Sequence, residues 1–305
     1  MKIYILFGQT ATGKSSKALS LCDTENGEIV NFDSRQIYKN LNIVTGKDLP
    51  PDAYQPPTTN HFLTKNTCMW LYDIIDPKKT FSSADYAICA EQTIKDILLR
   101  GKTPILVGGT GYYLRHLLYG APEIAVKEDW DLRKHLETKS VEELQIILRE
   151  KNAPLLTHMN NSDRNNPRRL IRRIEISQSV SELPPIVSQE ETLTTRLANL
   201  KGLQEGITIT YIPFFHPTQE IAREKISLRV EQRITDGALE EGKNLLKDGY
   251  SKDDPGLNAI GYQQIIGYLE KRLTLSEMKK QWITKEVQYA KRQKTYFNKY
   301  FITNK

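Results

Sequence analysis

Three of the 305 residues are cysteine: Cys22, Cys68 and Cys89. They are widely spaced, odd in number and form no C-x-x-C pair, which excludes a disulfide framework and a thiolate zinc site and leaves reduced thiols as the expectation. The five histidines include no H-x-x-x-H pair. Any bound metal is therefore held by oxygen, with Mg²⁺ the natural candidate. No apolar run approaches the ~20 residues that a membrane-spanning helix needs. No leader pattern precedes the first apolar run, so a cytoplasmic location is expected. Internal repeats and long low-complexity tracts are missing too. Charge is not strongly of one sign: 43 Lys and Arg stand against 37 Asp and Glu, for a net charge of +6. That balance permits an anionic macromolecule as partner without requiring one.

What is present begins at the amino terminus. Ile3-Tyr4-Ile5-Leu6-Phe7 reads as a buried strand and runs into Gly8-Gln9-Thr10-Ala11-Thr12-Gly13-Lys14-Ser15. A helix is expected over 16–22. This is the G-x-x-x-x-G-K-[ST] pattern in the strand–loop–helix setting that it requires. Its glycines let backbone N–H groups turn inward around an anion, and the following helix adds the positive end of its dipole. Lys14 supplies a full charge, and the Ser15 hydroxyl is placed to hold Mg²⁺. The loop predicts a bound diphosphate or polyphosphate without saying which compound carries it.

A second strand is expected over 28–32 and delivers Asp33-Ser34-Arg35-Gln36 at its carboxyl end. Ligands of open α/β sheets collect at strand carboxyl ends, so Asp33 is expected to share a crevice with the phosphate loop. A helix N-cap is the plainer role for the same aspartate. Residues 48–60 read as an exposed Pro- and Thr-rich loop. An amphipathic helix is expected over 81–100, with Ser82 and Ser83 near its start. Pro104-Ile105-Leu106-Val107 is a further strand ending in Gly108-Gly109-Thr110-Gly111, a second glycine-rich turn with Thr110 as its hydroxyl.

From Lys127 to Ser177 the pattern is helical, including a helix over 141–151. Asp163 to Glu175 contains five arginines. Pro167 suits a first helical position, and Leu170, Ile171 and Ile174 form an apolar stripe. Arg168, Arg169, Arg172 and Arg173 lie one turn apart along one side. Such a cluster grips phosphates, or is simply a solvated face with acidic neighbours. Residues 178–205 read as a mobile connection. Ile207 to Ile212 alternates as a strand and is expected to rejoin the first sheet. The rest is helical. Lys225, Arg229 and Arg233 share a face within 222–248, and the last helix interleaves Tyr289, Lys291, Arg292, Tyr296 and Phe297. Those aromatics either stack on RNA bases or pack on the core.

Taken together, the motifs resemble the tRNA dimethylallyltransferases, the isopentenyl transferases of tRNA. The matching pieces are GQTATGKS at 8–15, DSRQIY at 33–38, GGTGYYL at 108–114, NNPRRLIRRIEI at 165–176, AIGYQQ at 259–264 and YAKRQKTYF at 289–297. The resemblance implies an α/β fold: a P-loop, nucleoside-kinase-like parallel sheet flanked by helices, with an all-helical insertion domain. The expected parts are a core over 1–122, an insertion over 123–200 that contacts tRNA, and returning elements over 201–305. The implied reaction transfers a dimethylallyl group from dimethylallyl diphosphate to the exocyclic amine of the adenosine 3′-adjacent to the anticodon, with the anticodon stem-loop lying between the two domains. Asp33 is implied as general base and Thr110 as the group positioning the reactants. Gly8, Gln9, Thr10, Ala11, Thr12, Gly13, Lys14 and Ser15, with Arg229, are implied to bind the diphosphate, and Ser15 the Mg²⁺. Asp33, Ser34, Arg35 and Gln36, and on the insertion Arg168, Arg169, Leu170, Ile171 and Arg172, are implied to bind tRNA. A monomer is expected.

The chain departs from the family pattern in places. Gln9 stands where proline is usual, and Val44-Thr45-Gly46-Lys47-Asp48 where the family shows G-T-A-K-P. Leu71-Tyr72 replaces a usual histidine, and Lys225 aligns with the first arginine of an R-I-x-x-R helix. The C-terminal zinc finger of eukaryotic members is missing, which fits a bacterial type. Two rival activities use the same loop: a small-molecule kinase acting with ATP, and a prenyltransferase acting on free adenylate.

Overall fold

A computed structural model describes residues 1–57, 59–120, 126, 129–179, 192–198 and 206–302. The chain divides into two compact units, Met1–Tyr119 with Thr192–Lys305, and Gly120–Glu191.

The first unit is built on a six-stranded sheet. Its strands are β1 (Lys2–Gly8), β2 (Gly27–Asn31), β3 (His61–Leu63), β4 (Cys68–Trp70), β5 (Thr103–Gly108) and β6 (Thr208–Phe214), in the order β3-β4-β2-β5-β1-β6. All neighbours are parallel except β3, which runs antiparallel to β4. The central strands are apolar because helices cover both faces. Ile3, Ile5 and Phe7 of β1 lie in one buried cluster with Ile94 and Leu114, while Leu6 joins Ile29, Ile105 and Ala18 in another. That split follows the period-2 alternation of side chains along a strand. β6 pairs with β1 from Lys2 opposite Thr208 to Gly8 opposite Phe214, as expected of the returning strand. The short strands β3 and β4, which extend the sheet, were not expected.

The helices of this unit are α1 (Lys14–Glu25), α2 (Ser83–Leu99) and α3 (Gly111–Tyr119), then — past the four helices of the second unit, α4 (Trp130–Leu136), α5 (Val141–His158), α6 (Asn161–Arg164) and α7 (Pro167–Ser179) — α8 (Leu193–Ala198), α9 (Gln219–Thr235), α10 (Ala238–Lys247), α11 (Tyr262–Leu269) and α12 (Leu275–Phe297). Ser82 starts α2 through a reciprocal capping box with Asp85, and Thr274 starts α12 with Glu277 in the same way. Gly237, at φ 104°, breaks the single helical stretch expected over 222–248 into α9 and α10. α12 buries Met278, Trp282, Glu286, Ala290, Gln293 and Phe297, one residue per turn, so one face of this helix is laid against the core. At the amino end of β2, Glu28 is fully buried. Burial opposes its ionisation, but hydrogen bonds from Arg100, Lys102 and Trp70 outweigh that and hold its pKa at about 2. Its role is to hold sheet and helix together.

α8 corrects the reading of 178–205 as a mobile connection. Residues 180–191 and 199–205 lie outside the described residues. In α8, however, Leu193 and Leu197 are fully buried in the main core, and Arg196 donates to Glu91 and to the Leu117 carbonyl. α8 therefore belongs to the first unit.

The second unit is helical throughout its described residues: α4 (Trp130–Leu136), α5 (Val141–His158), α6 (Asn161–Arg164) and α7 (Pro167–Ser179). α5 runs beyond the expected 141–151, with a kink where Asn152 is non-helical ahead of Pro154. The core of this unit is Leu136, Leu144, Leu148, Leu156, Met159, Leu170, Ile171 and Ile174. Leu170 and Ile171 are 0% and 4% exposed. Their expected contact with tRNA is therefore corrected: these side chains face inward and hold α7 against α5.

Candidate active site

The carboxyl ends of β1, β2 and β5 present the phosphate loop, the Asp33 turn and the second glycine turn to one cavity of about 460 Å³. Thr10, Lys14, Ser15, Asp33, Thr110 and Arg229 all line it. Parallel strands align their ends, so residues far apart in sequence reach one crevice.

The loop has the expected backbone strain. Gly8, Ala11 and Gly13 have φ of 139°, 59° and 82°. A Cβ at Gly8 would strike the Phe214 carbonyl oxygen at 1.9 Å, so no other residue fits there. Lys14 Nζ donates to the Gln9 carbonyl. Burial first, and the Arg229 charge second, lower the Lys14 pKa to about 8, with Asp33 and Asp48 partly offsetting them. The Thr10 amide donates to Gln293 Oε1 at 2.9 Å and is thereby taken from the set expected to bind anion. The amides from Ala11 to Ser15 have no partner among the described residues. Neither has the Ser15 hydroxyl, which lines the cavity and an adjoining opening.

Asp33 faces the cavity as expected, but it is no helix N-cap, since a turn and not a helix follows it. Oδ1 accepts from the Arg35 amide at 2.9 Å and caps a turn. Oδ2 has no hydrogen-bond partner among the described residues, and the carboxylate lines the cavity. Asn31 accepts from the Asp33 amide and donates to the Leu71 carbonyl, fixing the approach. Thr110 Oγ1 accepts from the Ser34 amide at 3.0 Å, so the second glycine turn props the Asp33 turn. Arg35 donates to the Pro255 carbonyl, and Gln36 to the Gly46 carbonyl. The side chain of Gln36 is thus committed to holding the 45–46 turn.

Arg229 is the guanidinium at the loop: Nη1 donates to Thr10 Oγ1 at 3.1 Å. Lys225 lies one turn back and lines, with Asp48 and Arg229, the opening walled by Ala11 to Ser16 of the phosphate loop. The phosphate loop thus faces the Arg229 guanidinium and the Lys225 ammonium across this opening. Arg233, a turn further on, is buried against Glu286 at 2.5 Å, and Trp282 Nε1 donates to the same carboxylate oxygen.

α12 contributes more than the sequence suggested. Gln293 Nε2 donates to the Gly109 carbonyl while its oxygen holds Thr10, joining the two glycine turns. Gln9 Nε2 donates to the Ala290 carbonyl, and its Oε1 accepts from the His216 amide. Tyr289 and Arg292 line the cavity, whereas Phe297 is fully buried, so packing on the core holds for Phe297. The Gln293 bridge had no signal in the sequence beyond the helical period.

In the second unit Arg172 donates to Glu175 and to the Val126 carbonyl. Glu175 is 1% exposed and also binds Arg133 and the Asp129 amide. Arg172 is thus tied into that unit through Glu175 and Val126. Arg168 and Arg169 are exposed, and Arg169 pairs with Asp163.

A parallel sheet flanked by helices, with a phosphate-loop motif facing a carboxylate and a hydroxyl across a cavity, defines the α/β class of protein with a P-loop-like fold. The comparisons narrow this. Residues 36–300 match the family model for IPP transferases. The tRNA dimethylallyltransferase of Endomicrobium trichonymphae is 33% identical over 97% of this chain and 92% of its own length. The tRNA dimethylallyltransferase 2 of Bacteroides fragilis is 35% identical over 96% and 87%. The crystal structure of the full-length tRNA isopentenylpyrophosphate transferase from Bacillus halodurans aligns with a TM-score of 0.64 at 27% identity, covering 99% of this chain and 88% of that one. A eukaryotic dimethylallyltransferase acting on tRNA shares the fold, with a TM-score of 0.73. The chain belongs to the IPP transferase family.

Among the described residues no helix is long and apolar enough to cross a membrane.

Proposed function

We propose that this chain transfers a dimethylallyl group from dimethylallyl diphosphate to the exocyclic amine of the adenosine 3′-adjacent to the anticodon in tRNA. The observation that carries this reading is the meeting of Asp33 with Lys14, Ser15 and Arg229 in one cavity. The diphosphate lies on the loop, against the amides from Ala11 to Ser15, Lys14 and Arg229. An aromatic exocyclic amine is a weak nucleophile. Asp33 Oδ2 takes its proton as the new N–C bond forms, and the C–O bond to diphosphate breaks. Positive charge at Lys14 and Arg229 stabilises the departing anion. Thr110 acts by holding the Asp33 turn through Ser34. The target base leaves its stack to reach the donor, and Arg168 and Arg169 hold tRNA phosphates.

The Ser15 hydroxyl, which has no partner among the described residues, fits a Mg²⁺ ligand. No cluster of three or more His, Cys, Asp or Glu suited to a metal occurs among the described residues, so the remaining ligands would be diphosphate oxygens and water. Such an ion would neutralise charge on the leaving diphosphate.

The test is a transfer assay with Mg²⁺, labelled dimethylallyl diphosphate and an anticodon stem-loop, with AMP and ATP in parallel. Label on the stem-loop alone, lost in Asp33→Ala, is the expected result. Label on AMP or ATP would move the reading to a free-nucleotide prenyltransferase, and ATP consumption without transfer to a kinase.

A further inference from the structure

Arg229 does not wait on the phosphate loop alone. Its Nη2 pairs with Asp48 Oδ2 at 2.5 Å while Nη1 reaches Thr10. Asp48 lines the main cavity and both adjoining openings. We propose that Asp48 is a tethered competitor for the diphosphate: it holds Arg229 until diphosphate arrives, and its return helps the product leave. This rests on the reading that diphosphate binds the phosphate loop.

The segment that delivers Asp48 is held along its length. Glu241 accepts from the amides of Asn42, Ile43 and Val44 at 2.9, 2.8 and 3.0 Å. Gln36 holds the Gly46 carbonyl at 2.7 Å. The buried Lys47 ammonium donates to the Tyr38 carbonyl, to Asn42 and to Asp73. Asp48 follows directly, at φ 48°, a backbone conformation closed to proline. Its backbone is thus fixed, while its side chain is 49% exposed and the Arg229 side chain 23%.

Such a carboxylate meets Arg229 at a fixed, high effective concentration. A guanidinium presents a fork that suits one anion at a time. Diphosphate must take that fork and leave Asp48 to water, which a half-exposed carboxylate accepts at little cost. Asp48 then stands as a negative charge beside the bound anion, which opposes binding and favours release. Removing it should tighten diphosphate binding by about three- to fivefold, the upper range of a partly exposed ion pair.

Calorimetric titration of inorganic diphosphate with Mg²⁺ into the full chain tests this in wild type, Asp48→Asn and Asp48→Gly. Glycine suits the positive φ and guards against a strain effect of asparagine. Both variants should bind diphosphate about three- to fivefold more tightly, lower the KM for the donor and show stronger inhibition by diphosphate, with no gain in kcat. In an Arg229→Gln background, Asp48→Asn should tighten binding by clearly less, because only the repulsion between Asp48 and the anion is then relieved. Equal or weaker binding in variants that melt at the wild-type temperature would overturn the proposal and make Asp48 an aid to Arg229. A raised Mg²⁺ requirement in Asp48→Asn would overturn it by making Asp48 a metal ligand. A wild-type chain that binds no diphosphate would remove the reading of the loop, and the proposal with it.

Discussion

Helices α7 and α9 carry basic residues at the same four-residue spacing, and in both the fold divides them between two tasks. In α9, Arg233 is buried on Glu286 while Arg229, one turn earlier, opens on the phosphate loop. In α7, Arg172 is tied to the buried Glu175 while Arg168, one turn earlier, is exposed. What separates the arginines tied into the fold from those left facing a cavity or solvent is the presence of a buried carboxylate, and spacing carries no information about that. A buried guanidinium needs such a partner because an uncompensated charge in the interior is too costly to keep.

The largest expected effect lies at the site that α9 serves. Asp33→Ala should lower kcat by about 10²–10⁴, the usual contribution of a general base, and leave stem-loop affinity nearly unchanged. Single-turnover transfer and equilibrium binding separate the two, and equal losses in both would make Asp33 structural. Breaking the buried pair comes next. Glu286→Ala should cost about 3–5 kcal/mol in urea unfolding, because Arg233 is left unpaired in the interior. The double change Arg233→Met with Glu286→Leu should recover most of that loss. In the helical unit, Glu175→Ala should cost about 2 kcal/mol, since Arg133, Arg172 and the Asp129 amide all lose their acceptor. Arg168→Ala should change stability by less than about 0.5 kcal/mol yet reduce the salt slope of tRNA binding by about one. If Arg168 and Arg172 behave alike in both measurements, the division drawn here fails.

The smallest effect concerns Lys14. Its pKa of about 8 means that the loop loses charge as pH rises through that value. Diphosphate stabilises the charged form, so binding at pH 8.5 should take up part of a proton and binding at pH 7 much less. Affinity should fall as pH climbs past about 8. Calorimetry in buffers of different ionisation enthalpy reads the proton directly.

Much of this arrangement was legible in the residues. Gly8 to Ser15 reads as an anion loop because glycine and lysine in that order leave little else to build, and strand-end logic brought Asp33 and Thr110 to the same crevice. The arginine helix was legible as a helix but not as a set of roles: Leu170 and Ile171 looked like part of a recognition motif and proved to be core. β3 and β4 escaped notice because three-residue strands are too short to show a period. α8 escaped because its two buried leucines sit in a stretch whose composition reads as a linker.

The sequence by itself determined the elements whose causes are local: the phosphate loop, the helix start at Ser82 and the alternating strands. Tertiary structure alone decided which donors remain available. Gln293 takes the Thr10 amide from 283 residues away, Glu286 silences Arg233, and Asp48 claims Arg229. Hydrogen bonds and ion pairs depend on distance and burial, and neither is written in local spacing when the partners are brought together by the packing of α9 and α12 on the sheet.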